Sequence, residues 1–230
     1  DDRLQSAVAE WTASLGEQRV SATDTDTYVH STTGARRGVP YVLRPANAEQ
    51  IPPLVRTARR WRIPVYPISR GRNWGYGSAN PVVDDCVVVD LADLDRISDF
   101  DPELGIVTVE PGVTQEGLRR FLDRQAGDFL VPVTGGGPDC SVLGNALERG
   151  YGITPIADHF GAVTALEVVL PDGTLYRTPL GELGGGEVDR LYKWGIGPYI
   201  DLIVCCLVRL WPAGTARFVV DEHRFDRRQN

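Results

Sequence analysis

A strand-like run, Ile63-Pro-Val-Tyr-Pro-Ile68, empties into Ser69-Arg-Gly-Arg-Asn-Trp-Gly-Tyr-Gly-Ser78, and this junction constrains the chain more than any other stretch. Gly71, Gly75 and Gly77 allow left-handed backbone turns and expose successive N–H groups. Such a concave run of amides is a nest for an anion. Arg70 and Arg72 add forks that suit phosphate. The residues leave two readings open, a diphosphate cradle or a glycine-rich surface turn. No Gly-Lys-Ser/Thr closes the stretch, so it is not a Walker loop. No amphipathic helix follows it, so it is not a G-x-G-x-x-G dinucleotide turn. Ala79-Asn-Pro81 continues as loop.

The 230 residues suffice for one large domain or two small ones. A net charge of −7 argues against a nucleic-acid binder. It leaves room for an anionic cofactor, because a local arginine pair dominates over short distances. No apolar run is long enough for a membrane span and no signal peptide opens the chain. A cytoplasmic protein is expected. Cys86, Cys140, Cys205 and Cys206 show no metal or redox spacing, and reduced thiols are expected. His30, His159 and His223 are too scattered for a metal centre. Methionine is absent, at position 1 as elsewhere, so Asp1 is not expected to be the translation start.

Leu4, Val8, Trp11 and Leu15 recur at helical spacing, which predicts an amphipathic helix within residues 1–20. Residues 21–38 are polar and predict a loop that includes His30. Residues 39–69 read as β-α-β: a strand at 39–43, an Asn47/Gln50 capping signature, a helix striped by Ile51, Leu54, Val55 and Ala58, and a strand at 63–68. Cys86-Val-Val-Val-Asp-Leu91 predicts a buried strand that Asp90 interrupts. Residues 106–110 alternate as a second strand. Together 86–124 predict a strand pair feeding a helix capped by Thr114.

Residues 131–160 are dense in glycine, small residues and hydroxyls. A short helix over 141–148, capped by Ser141, is predicted within them. Small residues let backbone approach a flat ligand closely, and so long a stretch with few charges points to function rather than to plain surface loop. Residues 162–170 and 174–178 predict a hairpin about Pro171-Asp-Gly173. An acidic glycine-rich loop at 181–190 precedes an apolar run from Ile200 to Leu210, and the charged last ten residues read as frayed. Ser141 lacks the G-x-S-x-G elbow of a hydrolase. Asp158-His159 reads as a structural pair.

Several motifs, in order, resemble the vanillyl-alcohol oxidase and p-cresol methylhydroxylase family of flavoproteins. They are Pro67-Ile-Ser-Arg-Gly-Arg-Asn-Trp-Gly-Tyr-Gly77, Val109-Glu-Pro-Gly-Val-Thr114, Ser141-Val-Leu-Gly-Asn-Ala-Leu-Glu-Arg-Gly150, Thr154-Pro155 with Asp158-His159, Glu167-Val-Val-Leu-Pro-Asp-Gly173 and Trp194-Gly-Ile-Gly-Pro-Tyr-Ile-Asp201. The resemblance implies an α+β fold, the PCMH-type FAD-binding domain, with a small βαβ-rich subdomain and a larger mixed sheet flanked by helices. It divides the chain into an N-terminal helix and loop (1–38), the FAD-binding domain (39–210, subdomains 39–92 and 93–210) and a tail (211–230).

The resemblance also implies FAD as cofactor. Ser69, Arg70, Gly71, Arg72, Asn73, Trp74 and Gly75 are then expected at the diphosphate. Pro111, Gly112 and Val113, with Ser141, Gly144, Asn145 and Gly150, are expected along the ribityl and adenosine path. Ile153 and Thr154 are expected toward the flavin. Tyr76 matches a tyrosine that contacts the phenol oxygen of the substrate in related oxidases. The implied activity is oxidation of a 4-substituted phenol by hydride transfer to flavin, and the implied partners are a homodimer mate or a separate electron-acceptor subunit.

Three departures stand out. The family's carboxylate before Ser-Val-Leu-Gly-Asn is replaced within Gly135-Gly-Gly137, leaving Asp139 as the nearest base. Ile153 stands where a tyrosine is expected. After Asp201 the sequence leaves the family pattern, and too few residues follow for its cap domain. The run from Leu202 is then either a diverged strand or an altered reading of the gene. The alternative function is a truncated FAD-binding module or remnant without catalytic activity of its own, one that holds FAD weakly or not at all.

Overall fold

The computed structural model describes residues 2–23, 28, 34, 36–72, 79–125, 129–131, 136–150, 159–177, 203–209 and 211–212. His30, Asp158, the stretch at 181–190, the motif at 194–201 and the last ten residues lie outside the described residues.

Helix α1 (Asp2–Leu15) turns Ala7, Trp11 and Leu15 inward and stops where Gly16 takes φ 98°. Its partner is α2 (Ile51–Trp61), whose inward stripe is Ile51, Leu54, Val55 and Ala58. Asn47 accepts from Gln50 N, and the Gln50 side chain accepts from Ala46 N, so the predicted caps form. The prolines after Ile51 fall in the first turn, where a missing N–H costs nothing. Trp11 is fully buried and donates its indole N–H to Leu54 O at 3.1 Å. Glu10 accepts from Thr57, Arg60 and Trp61, which clasps the two helices.

These helices cover a four-stranded sheet ordered β1 (Val20–Ala22), β2 (Tyr41–Leu43), β4 (Val87–Asp90), β3 (Val65–Ile68). Strands β2 and β3 both run parallel to β4, and β1 is antiparallel to β2. Val87, Val88 and Val89 are wholly buried. Val87 and Val89 pack toward the helices, and Val88 packs toward Val42, Ile68 and Ala79. The all-apolar run therefore reflects a strand covered on both faces. Pro67 is tolerated because β3 is an edge strand.

Two expectations change here. The crossover from β2 through α2 to β3 exists, but β4 lies between its strands. Part of the predicted loop at 21–38 belongs to β1, a strand too short to show a readable alternation.

The second sheet is antiparallel, in the order β5 (Ile97–Asp101), β6 (Ile106–Val109), β10 (Ile203–Arg209), β8 (Val163–Val169), β9 (Leu175–Arg177). Helices α3 (Gln115–Leu122) and α4 (Val142–Leu147) cover it through Leu118, Leu122, Val142, Leu143 and Ala146, packed with Val107, Val109, Val163, Leu166 and Val168. Thr114 and Ser141 cap these helices as predicted. The predicted strand pair over 86–124 does not form. Strand β4 belongs to the first sheet, and β6 pairs instead with β5, a half-exposed edge strand whose aspartates mask its pattern. The predicted hairpin is β8–β9. Its turn docks on α2, where Arg56 donates to Gly173 O at 3.1 Å.

The apolar run after residue 200 is strand β10, at the centre of the second sheet and paired on both sides. Beyond it β11 (Trp211–Pro212) pairs with β7 (Phe129–Leu130).

Candidate functional site

The three parallel strands end at one edge of the first sheet, the place where open sheets hold ligands. Ile68 pairs with Asp90 there, and Leu91 N donates to Ile68 O at 2.9 Å. Ser69, Arg70, Gly71 and Arg72 leave the sheet from this point. Gly71 has φ 62°, and a Cβ on it would meet Ala79 Cβ at 3.1 Å. Asn73, Trp74, Gly75 and Tyr76 lie outside the described residues. Arg70 donates to Ala92 O at 3.3 Å, so its guanidinium is held over the turn that follows β4.

The second sheet sends Pro111-Gly112-Val113 to the same turn. Gly112 N donates to Leu94 O at 2.7 Å. A Cβ on Gly112 would overlap Ala92 O and lie 2.7 Å from Leu94 O, so only glycine fits this approach. Pro111 O accepts from the buried Ser141 hydroxyl at 2.7 Å, and Val113 O accepts from Val142 N at 2.9 Å. The same Ser141 oxygen accepts from Gly144 N, so this hydroxyl both caps α4 and straps it to residue 111. Gly144 in turn faces the cradle: a Cβ on it would stand 2.6 Å from Ser69 Oγ.

The structure thus sets Arg70 and Gly112 on residues 92–94, Pro111 and Val113 on Ser141 and Val142, Gly144 on Ser69, and Gly71 on Ala79, with Arg72 two residues beyond Arg70. Asn145 lies within α4, and Gly150 follows its end. Asn145 Nδ2 lies 2.9 Å from Nδ1 of buried His159, whose backbone N–H donates to Gly150 O. His159 is therefore paired with Asn145. Ile153 and Thr154 lie outside the described residues.

Asp139 is not free-standing. Its Oδ2 lies 3.0 Å from Arg72 Nε, and both side chains are well exposed. The Gly137–Cys140 turn that carries it rests on the start of α3, where Glu116 N donates to Pro138 O and Gln115 N to Cys140 O. Cys140 Sγ lies 4.0 Å from Arg72 O. Among the described residues no three His, Cys, Asp or Glu side chains gather as a metal centre requires.

One feature at this edge escapes the sequence patterns. Asp90 is buried and accepts from Tyr28 OH at 2.9 Å, from Arg44 Nη2 at 3.0 Å and from Ala92 N at 3.0 Å. Burial, then the neighbouring Asp90 carboxylate, raises the Tyr28 phenol above its ordinary range. The bond to Tyr28 and the charge of Asp90 raise the Arg44 guanidinium. In the sequence Asp90 only interrupts a strand. The available signal was a carboxylate in an otherwise apolar run, which must find donors if it is buried.

The FAD-binding-domain family model, of the PCMH type, matches residues 39–179. The chain belongs to this family of FAD-binding proteins. The 1'-carboxy-chondrochloren decarboxylase of Chondromyces crocatus is 37% identical over 203 residues, covering 86% of this chain and 37% of that protein. The 4-cresol dehydrogenase [hydroxylating] flavoprotein subunit of Pseudomonas putida is 36% identical over 153 residues, 66% of this chain and 29% of that protein. A crystal structure of p-cresol methylhydroxylase with substrate bound superposes with TM-score 0.85 at 28% identity, over 92% of this chain and 44% of that one. The chain thus spans less than half the length of these relatives. It has the PCMH-type FAD-binding fold, its cofactor is FAD, and its family is one of FAD-dependent oxidoreductases.

The residues of this FAD-binding chain fit that cofactor. Two arginines supply positive charge beside a left-handed glycine. The close approaches at Gly112 and Gly144 let the segments at 92–94, 111–113, 141–144 and Ser69 pack against one another without intervening side chains.

Proposed function

We propose that this chain is the FAD-holding part of an oxidoreductase that oxidises 4-substituted phenols. The observation that carries the proposal is the arginine-bearing edge where Ser69 meets Gly144 and Gly112 meets the turn at 92–94, in a chain that superposes on p-cresol methylhydroxylase over 92% of its length. Arg70 and Arg72, with the amides of 71–75, neutralise the diphosphate. Residues 111–113 and 141–150 line the ribityl and adenosine path, and Ile153 and Thr154 lie toward the flavin. Tyr76 holds the phenol oxygen. Bound flavin supplies the two-electron acceptor, and the chain supplies binding and orientation. Asp139 is the base available to the substrate, and it must leave Arg72 to accept a proton. Arg72 would hold phosphate in place of Asp139 once the cofactor is bound. The relative named a flavoprotein subunit supports a separate electron-acceptor subunit as partner.

One observation favours a second reading. The relative that overlaps 86% of the chain is named a decarboxylase. Under that reading the substrate carries a carboxylate: a hydride from the adjacent carbon would pass to bound flavin, and the electron pair of the breaking C–CO2 bond would form a C=C bond as CO2 leaves.

Anaerobic mixing of the FAD-loaded protein with 4-cresol, vanillyl alcohol and a 4-hydroxyphenyl carboxylic acid tests both readings. Bleaching of the flavin band by the phenols supports the first, and bleaching with CO2 release supports the second. An unbleached flavin with all three rejects both. Equilibrium dialysis measures how tightly these residues alone hold FAD, and tight one-to-one binding contradicts the remnant reading.

A further inference from the structure

We propose that Asp90 is a positioning residue for the cofactor diphosphate, acting through Ala92 on Arg70 and Gly112. The role rests on the cradle reading above and adds to it a set of residues outside the cradle.

Asp90 ends β4 beside the point where the cradle leaves β3. A carboxylate in that buried position is costly unless its oxygens are met by donors. Both are met, and on opposite sides. Oδ2 accepts from Tyr28 OH and Arg44 Nη2, which also bond each other at 3.0 Å. Oδ1 accepts from Ala92 N, two residues on, which is an Asx turn. That turn leads directly into a second one, where Leu94 N donates to Leu91 O at 3.1 Å.

The two turns fix where the carbonyls of Ala92 and Leu94 point. Ala92 O takes the Arg70 guanidinium, and Leu94 O takes Gly112 N at an approach with no room for a Cβ. One buried carboxylate thereby sets both a cation of the cradle and the glycine of the facing subdomain. Tyr28 and Arg44 lie outside the cradle, yet they hold the carboxylate that holds both. Tyr28 is tied in once more, since Asn80 donates to its backbone carbonyl at 3.3 Å from the far side of the cradle loop.

The test is a double-mutant cycle on FAD affinity, read by quenching of flavin fluorescence for wild type, R70A, D90N and the double variant, with Y28F alongside. R70A is expected to weaken binding about tenfold, the loss of one charge-assisted contact. D90N is expected to weaken it about tenfold in the wild-type background and about threefold in the R70A background, because the route through Arg70 is then gone and only the route through Gly112 remains. Y28F is expected to weaken it about threefold with an unchanged far-UV spectrum. A merely structural role for Asp90 would give the same fold-change in both backgrounds, and that additivity overturns the proposal. If D90N does not fold, the Y28F–R70A cycle decides by the same criterion. R70A binding FAD as tightly as wild type overturns the cradle reading and this inference together. A strong R70A effect beside an additive D90N effect overturns the inference alone.

Discussion

Cys140 and Cys86 have different chemistry because their surroundings differ. Burial raises the Cys86 thiol, whereas Cys140 is half-exposed beside the Arg72 backbone. Iodoacetamide is expected to modify Cys140 well before Cys86, and FAD is expected to slow the Cys140 reaction because the cofactor shares Arg72 with that turn. Peptide mass mapping with and without FAD checks both statements. Gly112 makes a sharper demand. Alanine there drives a methyl into two carbonyl oxygens, and G112A is expected to cost about 3 kcal/mol in urea denaturation, the upper end of overpacking. This residue was legible as part of a motif, but the reason it must be glycine was not, since Ala92 and Leu94 are about twenty positions away in sequence.

Among the elements, the clasp between α1 and α2 makes a prediction about pH. Glu10 is held below the usual carboxylate range, first by the Trp61 indole and then by Thr57 and Arg60. A depressed carboxyl favours the folded state above the ordinary range and loses that contribution as the pH falls through its folded-state value. E10Q is therefore expected to flatten the acid limb of stability between neutral pH and about pH 3, as urea midpoints across that interval would show. The helices themselves were legible, because a stripe such as Ile51, Leu54, Val55 and Ala58 is set by local periodicity. Strands β1 and β5 were not. One is three residues long and the other is an edge rich in aspartate, so neither carries an alternation that survives without its neighbour.

The whole molecule depends on a late strand. β10 separates β6 from β8, and each pairs with it over most of its length. A chain ending at residue 200 leaves two two-stranded ribbons, which are marginal alone. Such a chain is expected to lose the cooperative unfolding transition of the second sheet and, with it, the seating of Gly112 and Ser141 on the cofactor edge. Calorimetry of the shortened and full chains, followed by FAD titration of each, checks this. Sequence resemblance fades after residue 201, so the strand's place was settled by pairing rather than by motif.

Local chemistry was readable from the chain alone: helix stripes and caps, the β-branched run of β4, and the ordered motifs that marked an FAD-binding family. Each depends on residues within a few positions of one another, or on short patterns that a family carries intact. The tertiary structure decided what those patterns meet. It inserted β4 between β2 and β3, put β10 at the centre of a sheet, joined Asp139 to Arg72, and turned Asp90 from an interruption into the anchor of a network. Which donors reach a buried carboxylate, and which carbonyl excludes a methyl group, depend on contacts between segments far apart in sequence. Folding brings those segments together, and no local pattern encodes the distance between them.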